Sequence, residues 1–411
     1  MGEILTTLKR LSDTRGEEIE RWFAMERQKS APFIYTSVDL RHSGVRLAPV
    51  DTNLFPAGFN NLSPAARGRA ARFLAAFFAE RYPDAKRVVI IPENHTRNLY
   101  YLENLVVLTT LFEAAGKEVR LGSLAAVAGA PIELASQSGA RLVQYPVQRD
   151  GVRLVLEDGF VPEVVVLNND MTSGVPTILE GLAQPVLPSV GMGWHRRRKR
   201  VHFTAYQKLV ESFAAAFSLD PWLLGAEFHG CGMVDFKERT GLDCVAKAID
   251  MLIARAKKKY HEYGIAEDPY VYVKADSGTY GMGILTVRSG SEILDLNKKE
   301  RNKMNVIKEG ARVSEVIVQE GIPTIDSVDG HPAEPMVYLV DGIPAGGMWR
   351  VNEARDAYGN LNAAGMHFTG MCDEMEEEGE AWRVVEGCHF RSFGVIAAIA
   401  ALAAAREEYG N

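Results

Sequence analysis

Residues 271 to 284, VYVKADSGTYGMGI, place Lys274 at the end of an alternating strand pattern with a glycine- and hydroxyl-rich segment directly behind it. Ser277, Gly278, Gly281 and Gly283 could wrap an anion. Glycines remove side-chain obstruction, so several backbone N–H groups can converge on one charge. A lysine adds a compact point charge suited to phosphate. The combination points to binding of a nucleoside triphosphate. A flexible hairpin with an exposed lysine is the plain alternative. A Walker A loop is excluded, because there the lysine follows the glycines, and a dinucleotide fingerprint would need a helix directly behind.

Three further segments extend this chemistry. VIVQEGIP (316–323) is an apolar strand running into Gln319, Glu320 and Ile322, where backbone groups could read the edge of an adenine. MVYLVDGIPAGGMWRVN (336–352) reads as a hairpin turned at Val340-Asp341-Gly342 and carrying Arg350 near its end. GNLNAAG (359–365) adds a second glycine-rich loop, with Asn360 and Asn362.

Elements must hold these residues in place. Ile4, Leu8, Leu11, Ile19, Trp22 and Phe23 recur at helical spacing over 3–29. FIYTSVDL and VRLAPVD read as two strands with a turn at His42–Gly44. A helix spans 64–81, with Ser63 as its cap and Pro64 at its first position. From 87 the pattern alternates strand and helix. RVVIIP is a strand buried on both faces, a helix runs from about 99 to its stop at Gly116, and strands follow at 119–122, 152–157 and 161–170. This is a doubly wound, partly parallel sheet, whose ligand loops lie at strand ends. Asn94, His95, Arg97 and Asn98 fall in one such loop, and Asn168 and Asp170 in another. His95 reads equally well as a cap for the next helix. A helix follows at 203–217 and a helical hairpin at about 242–262. After them, short antiparallel strands dominate. The class is therefore α/β together with α+β, divided as 1–62, 63–202 and 203–411.

Composition narrows the partners. The chain has 411 residues and a net charge of −7, so no global positive field draws in nucleic acid. The basic run HRRRKR (195–200) reads as a solvated face or as a neighbour of bound triphosphate. No apolar run reaches the ~18–20 residues that span a bilayer, and FGVIAAIAALAAA (393–405) reads as a buried helix. The N-terminus lacks the apolar core of a signal peptide. The four cysteines form no CxxC pair and read as core thiols. A cytoplasmic protein with no membrane partner is expected. A homo-oligomer is compatible with the sequence.

Taken in order, these segments resemble the ATP-grasp ligases, in their glutathione synthetase-like branch. FTAYQKL resembles the helix that delivers a first ATP-contacting lysine in that family, here Lys208. VDLRHSGVRLAPVDTNLFPAGFNNLS (38–63) and IIPENHTRNLYYLEN (90–104) resemble the proteobacterial ATP-grasp type of glutamate–cysteine ligase, over essentially the whole chain. The resemblance implies ATP and Mg2+, with glutamate and cysteine joined through an acyl phosphate to give γ-glutamylcysteine, ADP and phosphate, the first step of glutathione synthesis. Lys208 and Lys274 would neutralise the ATP phosphates, and Arg350 would stabilise the acyl phosphate. The loop at 276–283 would cover the phosphates. Arg41, Asn60, Asn94, His95, Arg97, Asn98, Asn360 and Asn362 are the candidates for binding the amino acids.

ATP-grasp enzymes usually end with an acidic residue on one strand and an acidic-x-Asn pair on the next, which hold magnesium. Nothing after residue 365 reads that way. The N-terminal hairpin does, with Asp39, then Asp51 and Asn53 two apart on one strand face. Their hard oxygens suit magnesium. The alternative is that Asp51 and Asn53 cap the turn ahead of LFPAGF. The metal reading implies a circularly permuted ATP-grasp domain completed by residues 33–60. Two rivals stand beside the main reading. One is an ATP-grasp ligase for another amino-acid pair, and the other a non-catalytic ATP-binding regulator.

Overall fold

The apolar stripe of the N-terminus becomes α1 (Glu3–Lys29), bent where Arg15 leaves helical geometry. The computed structural model describes residues 2–94, 97–124, 130–278, 284–304, 313–371, 375–376, 383–384 and 389–409. After α1 the chain forms an antiparallel hairpin, β1 (Tyr35–His42) and β2 (Leu47–Asn53). Asp39 pairs with Asp51 but Leu40 pairs with Pro49, so Val50 is an extra residue on β2. Such a bulge frees a backbone group from the ladder. α2 (Pro64–Arg81) starts as its sequence predicts, with Ser63 Oγ accepting from Ala66 N–H at 3.0 Å.

The middle of the chain is the parallel part. It runs β3 (Arg87–Pro92), α3 (Leu99–Ala114), β4 (Glu118–Ser123), β5 (Ile132–Ala135), β6 (Arg141–Asp150), β7 (Arg153–Leu156), β8 (Val164–Asn168) and β9 (Val186–Leu187). The strand order is β5-β6-β4-β3-β8-β9, with β7 beside β6. β5 and β7 pair antiparallel with β6, and the other pairings are parallel. Val88 and Ile90 of β3 pack towards α2 and α3, while Val89 and Ile91 pack towards Leu154, Phe160 and Met171. One face is thus covered by helices, the other mainly by β7 and connecting segments.

α4 (Lys199–Phe217) begins ahead of the 203 expected from its apolar pattern. β10 (Phe228–Gly232), α5 (Leu242–Glu262), β11 (Val271–Ala275), β12 (Leu285–Val287), α6 (Gly290–Leu294), α7 (Lys298–Met304) and β13 (Glu315–Glu320) follow. β10-β13-β11-β12 is an antiparallel sheet with α5 on one side. α5 is one continuous helix and not the expected hairpin, because its sequence contains no breaker before Gly264.

β14 (Ser327–Val328), β15 (His331–Val340), β16 (Ile343–Asn352), β17 (Met366–Gly370), the pair β18 (Met375–Glu376) and β19 (Arg383–Val384), and α8 (Phe390–Tyr409) complete the chain. Asp341 and Gly342 take positive φ in the β15–β16 turn, as an Asp-Gly hairpin requires. The third sheet has the order β17-β16-β15-β1-β2, with β14 beside β15. The N-terminal hairpin therefore completes a sheet otherwise made from the C-terminal part, with Val38 opposite Val337. The expected completion of the C-terminal sheet by residues 33–60 is thus present. Val38, Leu40, Val337 and Leu339 bury one face of this sheet on α1, α4 and α8. α2 crosses the other face, where a Cβ on Gly346 would lie 2.4 Å from that of Ala66. Among the described residues no helix is long and apolar enough to cross a membrane.

Candidate active site

The two antiparallel sheets line one cleft, with about 710 Å³ of space partly open to solvent. Strand alternation decides what lines it. On one wall Asp39 and Arg41 come from β1, Asp51 from β2, Glu334 from β15 and Arg350 from β16. Tyr272 and Lys274 of β11 line the other, while Val271 and Val273 point away to α5. Lys199, Ser277, Gly278, Asn360 and Asn362 complete the lining.

An ion-pair system lies on the first wall, and Lys199 and Lys274 reach across the cleft to β2. Arg350 Nη1 donates to Asp39 at 2.7 Å and to Glu334 at 2.5 Å, and Glu334 also receives Arg41 Nε at 2.6 Å. Lys199 Nζ donates to Asp51 at 2.5 Å. Lys274 Nζ donates to the Val50 carbonyl, the group freed by the bulge, at 2.8 Å. Burial, reinforced by the charge of Lys199, pulls the Lys274 ammonium down to about 7. Burial works to raise Asp51, but the ammonium groups of Lys199 and Lys274 outweigh it and hold the carboxyl at about 2. Burial raises Asp39, with help from Glu334 and Asp51 and against Arg350. Lys274 is buried, which removes the reading of a surface hairpin with an exposed lysine.

Nine of the expected residues meet in this cleft, Asp39, Arg41, Asp51, Lys274, Ser277, Gly278, Arg350, Asn360 and Asn362. Arg41 lines it but is fully engaged. Besides Glu334 it donates to the carbonyls of Ala357 at 3.1 Å and Gly359 at 2.7 Å, so it fixes the loop that carries Asn360 and Asn362. Gln319 is buried on the same sheet face as Lys274, opposite Tyr272, and among the described residues neither amide atom has a hydrogen-bond partner. A buried unpaired amide is costly, so this side chain is suited to a ligand. Ile322 is fully buried just beyond the strand.

The structure corrects other expectations. Lys208 is exposed on α4 and outside the cleft. It follows Lys199 by about two and a half helical turns, which puts it on the opposite face. The Glu320 side chain is committed within the protein, buried against Arg46, which donates to it at 2.7 and 2.8 Å. The adenine reading of this segment thus rests on its backbone groups, as expected from the sequence. Asn53 lies outside the cleft lining, and its Oδ1 accepts from Phe55 N–H at 2.9 Å, the turn-capping role. Asn98 caps α3 by accepting from Tyr101 N–H. Asn94 and Arg97 are exposed, and Asn60 sits in a short turn with its carbonyl held by Arg67; none of the three lines the cleft. Asn168 is a buried joint, donating to Pro56 O and accepting from Tyr101. His95, Gly281 and Gly283 lie outside the described residues.

Sequence reasoning missed Lys199, Glu334 and Tyr272. Glu334 had a signal, as a lone carboxylate inside the apolar strand PAEPMVYLV. Lys199 was hidden in HRRRKR. That run is no solvated face: Arg197 pairs with Glu407, Arg198 and Arg200 with Glu315, and Lys199 with Asp51.

Two sheets closing on a cleft of paired lysines, arginines and carboxylates fit a ligase of the ATP-grasp class, whose members use ATP and a divalent metal. The sequence model of the glutamate–cysteine ligase family matches residues 9–408, and the chain belongs to that family. A crystal structure from Methylobacillus flagellatus KT, provisionally assigned as a gamma-glutamylcysteine synthetase, is 42% identical. It covers 100% of this chain and 97% of its own, with a TM-score of 0.89. Far weaker likenesses reach a glutathione synthetase-like effector from Globodera pallida (11% identity, 89% and 84% covered, TM-score 0.41). They also reach a D-alanyl-alanine synthetase A from Vibrio cholerae (12%, 65% and 67%, TM-score 0.30). No curated protein sequence matches the chain.

Proposed function

We propose that the protein joins the γ-carboxylate of L-glutamate to the amine of L-cysteine with cleavage of ATP. A carboxylate oxygen takes the γ-phosphoryl group and ADP leaves. The cysteine amine then attacks the acyl carbon, phosphate departs and the nitrogen gives up a proton, leaving γ-glutamylcysteine. No protein nucleophile is required, so the protein's contribution is positioning and charge stabilisation.

The observation that carries the reading is the opposition of Lys199 and Lys274 to Asp39, Asp51, Glu334 and Arg350 across one cleft. The lysines suit the triphosphate, and phosphate charge favours the protonated form of Lys274, whose value near 7 leaves it able to take up a proton. Gln319 suits the base. Arg350 suits the oxyanion that develops on the acyl carbon. Asn360 and Asn362, held by Arg41, suit the polar groups of an amino acid. Asp39, Asp51 and Glu334 offer the hard oxygens that magnesium takes, and the cation would neutralise phosphate charge there. In this reading residues 1–62 lend a hairpin to the ATP-grasp unit 203–411, and 63–202 is the substrate unit.

The test is ADP release by the purified protein with Mg2+, ATP, glutamate and cysteine, each omitted in turn, with the product identified by mass. ADP formation that needs both amino acids supports the proposal. Turnover only with a different acid and amine overturns the substrate pair. ATP binding without turnover for any pair overturns the enzyme.

A further inference from the structure

The strand β10 carries His229 and Cys231 two residues apart, hence on one face. Cys244 lies in the first turn of α5, the helix packed over that face. One ring nitrogen of His229 and the two sulfurs all lie within 4.8 Å of one another, and the sulfurs are 3.0 Å apart. Neither cysteine is in a disulfide. Cys244 is exposed, contrary to a core thiol, and so is His229, while Cys231 is buried. We propose that His229, Cys231 and Cys244 bind one thiophilic d10 cation, with Zn2+ as its probe.

Donor chemistry selects the ion. Two thiolates and an imidazole form a borderline-soft set, whereas magnesium takes oxygen ligands. Zinc bonds of about 2.3 Å to sulfur and 2.0–2.1 Å to nitrogen put tetrahedral donors roughly 3.5–3.8 Å apart. The three donors therefore reach a zinc-binding arrangement by shifts of about 1 Å. The exposed side of the cluster leaves a fourth position to water. The site is separate from the cleft. His229 pairs with Val318 and Cys231 with Val316, and both valines pack on the α5 side, away from Lys274. A bound cation would pin the edge strand β10 to α5, stiffening the sheet whose opposite face carries Lys274 and Gln319.

The test titrates reduced, chelator-treated full-length protein with Co2+ and then Zn2+. We expect one equivalent of Co2+ to raise a sulfur-to-cobalt charge-transfer band that Zn2+ removes and excess Mg2+ does not. The band distinguishes thiolate ligation from binding at the cleft carboxylates. C244S, at an exposed position, and C231S should abolish it, and H229A should weaken affinity at least tenfold. C372S and C388S should leave it intact. Ligase activity without added Zn2+ should be unchanged in C244S. Cobalt uptake without the band, a band that survives in C244S, or no uptake at all overturns the site. So does recovery of Cys231 and Cys244 as a disulfide from a protein that takes up no metal when reduced, which would make the pair a redox couple.

Discussion

Asp39 and Asp51 face each other directly across the β1–β2 pair. Like charges in that position destabilise a sheet, and here burial adds to the cost. Arg350 answers one carboxylate and Lys199 the other. An antiparallel pair built only for stability has no use for this arrangement, whereas a dication has. Asp51→Asn should lower ADP release by about 10²-fold or more and raise the Mg2+ concentration needed for half-maximal rate. An unchanged Mg2+ dependence, measured over a full titration, removes Asp51 from the metal site.

Lys199 and Lys208 lie on opposite faces of α4, so they separate the family resemblance from the geometry. A charge-assisted contact is worth about 1.5–3 kcal/mol, hence Lys199→Met should weaken ATP binding roughly ten- to a hundredfold. Lys208→Met, on the exposed face, should leave it within about twofold. Calorimetric titration with ATP decides between them. The opposite ranking would restore Lys208 as the ATP contact.

That pair also marks the limit of what the sequence made legible. Strand alternation located Lys274, Arg350 and the Asp39–Asp51 hairpin, because period-two patterns fix which face a residue joins. Caps and turns were equally readable, as Ser63 and Asp341-Gly342 show. Local spacing could not distinguish a helix-start lysine from one further along the same helix. It could not show that Glu320 belongs to Arg46, since their partnership spans 274 residues. Asn53 was read as a ligand or a turn cap and Asn98 as a ligand, because such side chains suit both jobs, and the structure gives each to a neighbouring backbone N–H.

Lys274 makes stability depend on pH in a set direction. Its folded value is about 7 against 10.5 for the ordinary side chain. Between those values the unfolded chain holds a proton that the folded chain lacks, so this lysine's contribution to stability rises with pH across that window. Below pH 7 both states are protonated and the dependence vanishes. Urea denaturation of ligand-free protein at pH 7 and pH 9 should show the rise, and Lys274→Met should remove it. ATP binding at pH 8 should take up a proton, visible as a buffer-dependent enthalpy. A Lys274→Met variant with the wild-type pH profile would falsify the assignment.

The Glu320 side chain tests the buried pair with Arg46 separately from the backbone groups expected to read a base. Its carboxylate and the Arg46 guanidinium are each only 2% exposed, and Arg46 also lies 4.0 Å from the Trp222 ring centroid. Removing one partner of such a buried pair leaves an uncompensated charge and costs about 3–5 kcal/mol. Glu320→Ala should lose that much in urea denaturation. A variant of normal stability but weakened ATP binding would return Glu320 to the nucleotide site.

Glu407 supports the cleft from behind. Its carboxylate holds Arg197 at 2.8 and 2.9 Å and His202 at 2.6 Å, and Arg197 reaches on to the Thr52 carbonyl at 2.5 Å. Thr52 adjoins Asp51, and Arg197 precedes Lys199 by two residues, so the last turns of α8 hold both halves of that ion pair. Burial opposes the charge on Glu407, but Arg197 and His202 outweigh it and keep the carboxyl at about 2. A lowered folded value stabilises fully above the ordinary 4.5 and is lost as pH falls towards 2. Glu407→Gln keeps the shape and removes the charge. It should cost about 3–5 kcal/mol at pH 7, and the gap to wild type should narrow at pH 3. A misplacement of about 1 Å can cost about 10²-fold in rate, so kcat should fall although Glu407 touches no substrate. A stability gap of the same size at both pH values would show that packing, and not charge, ties α8 to the cleft.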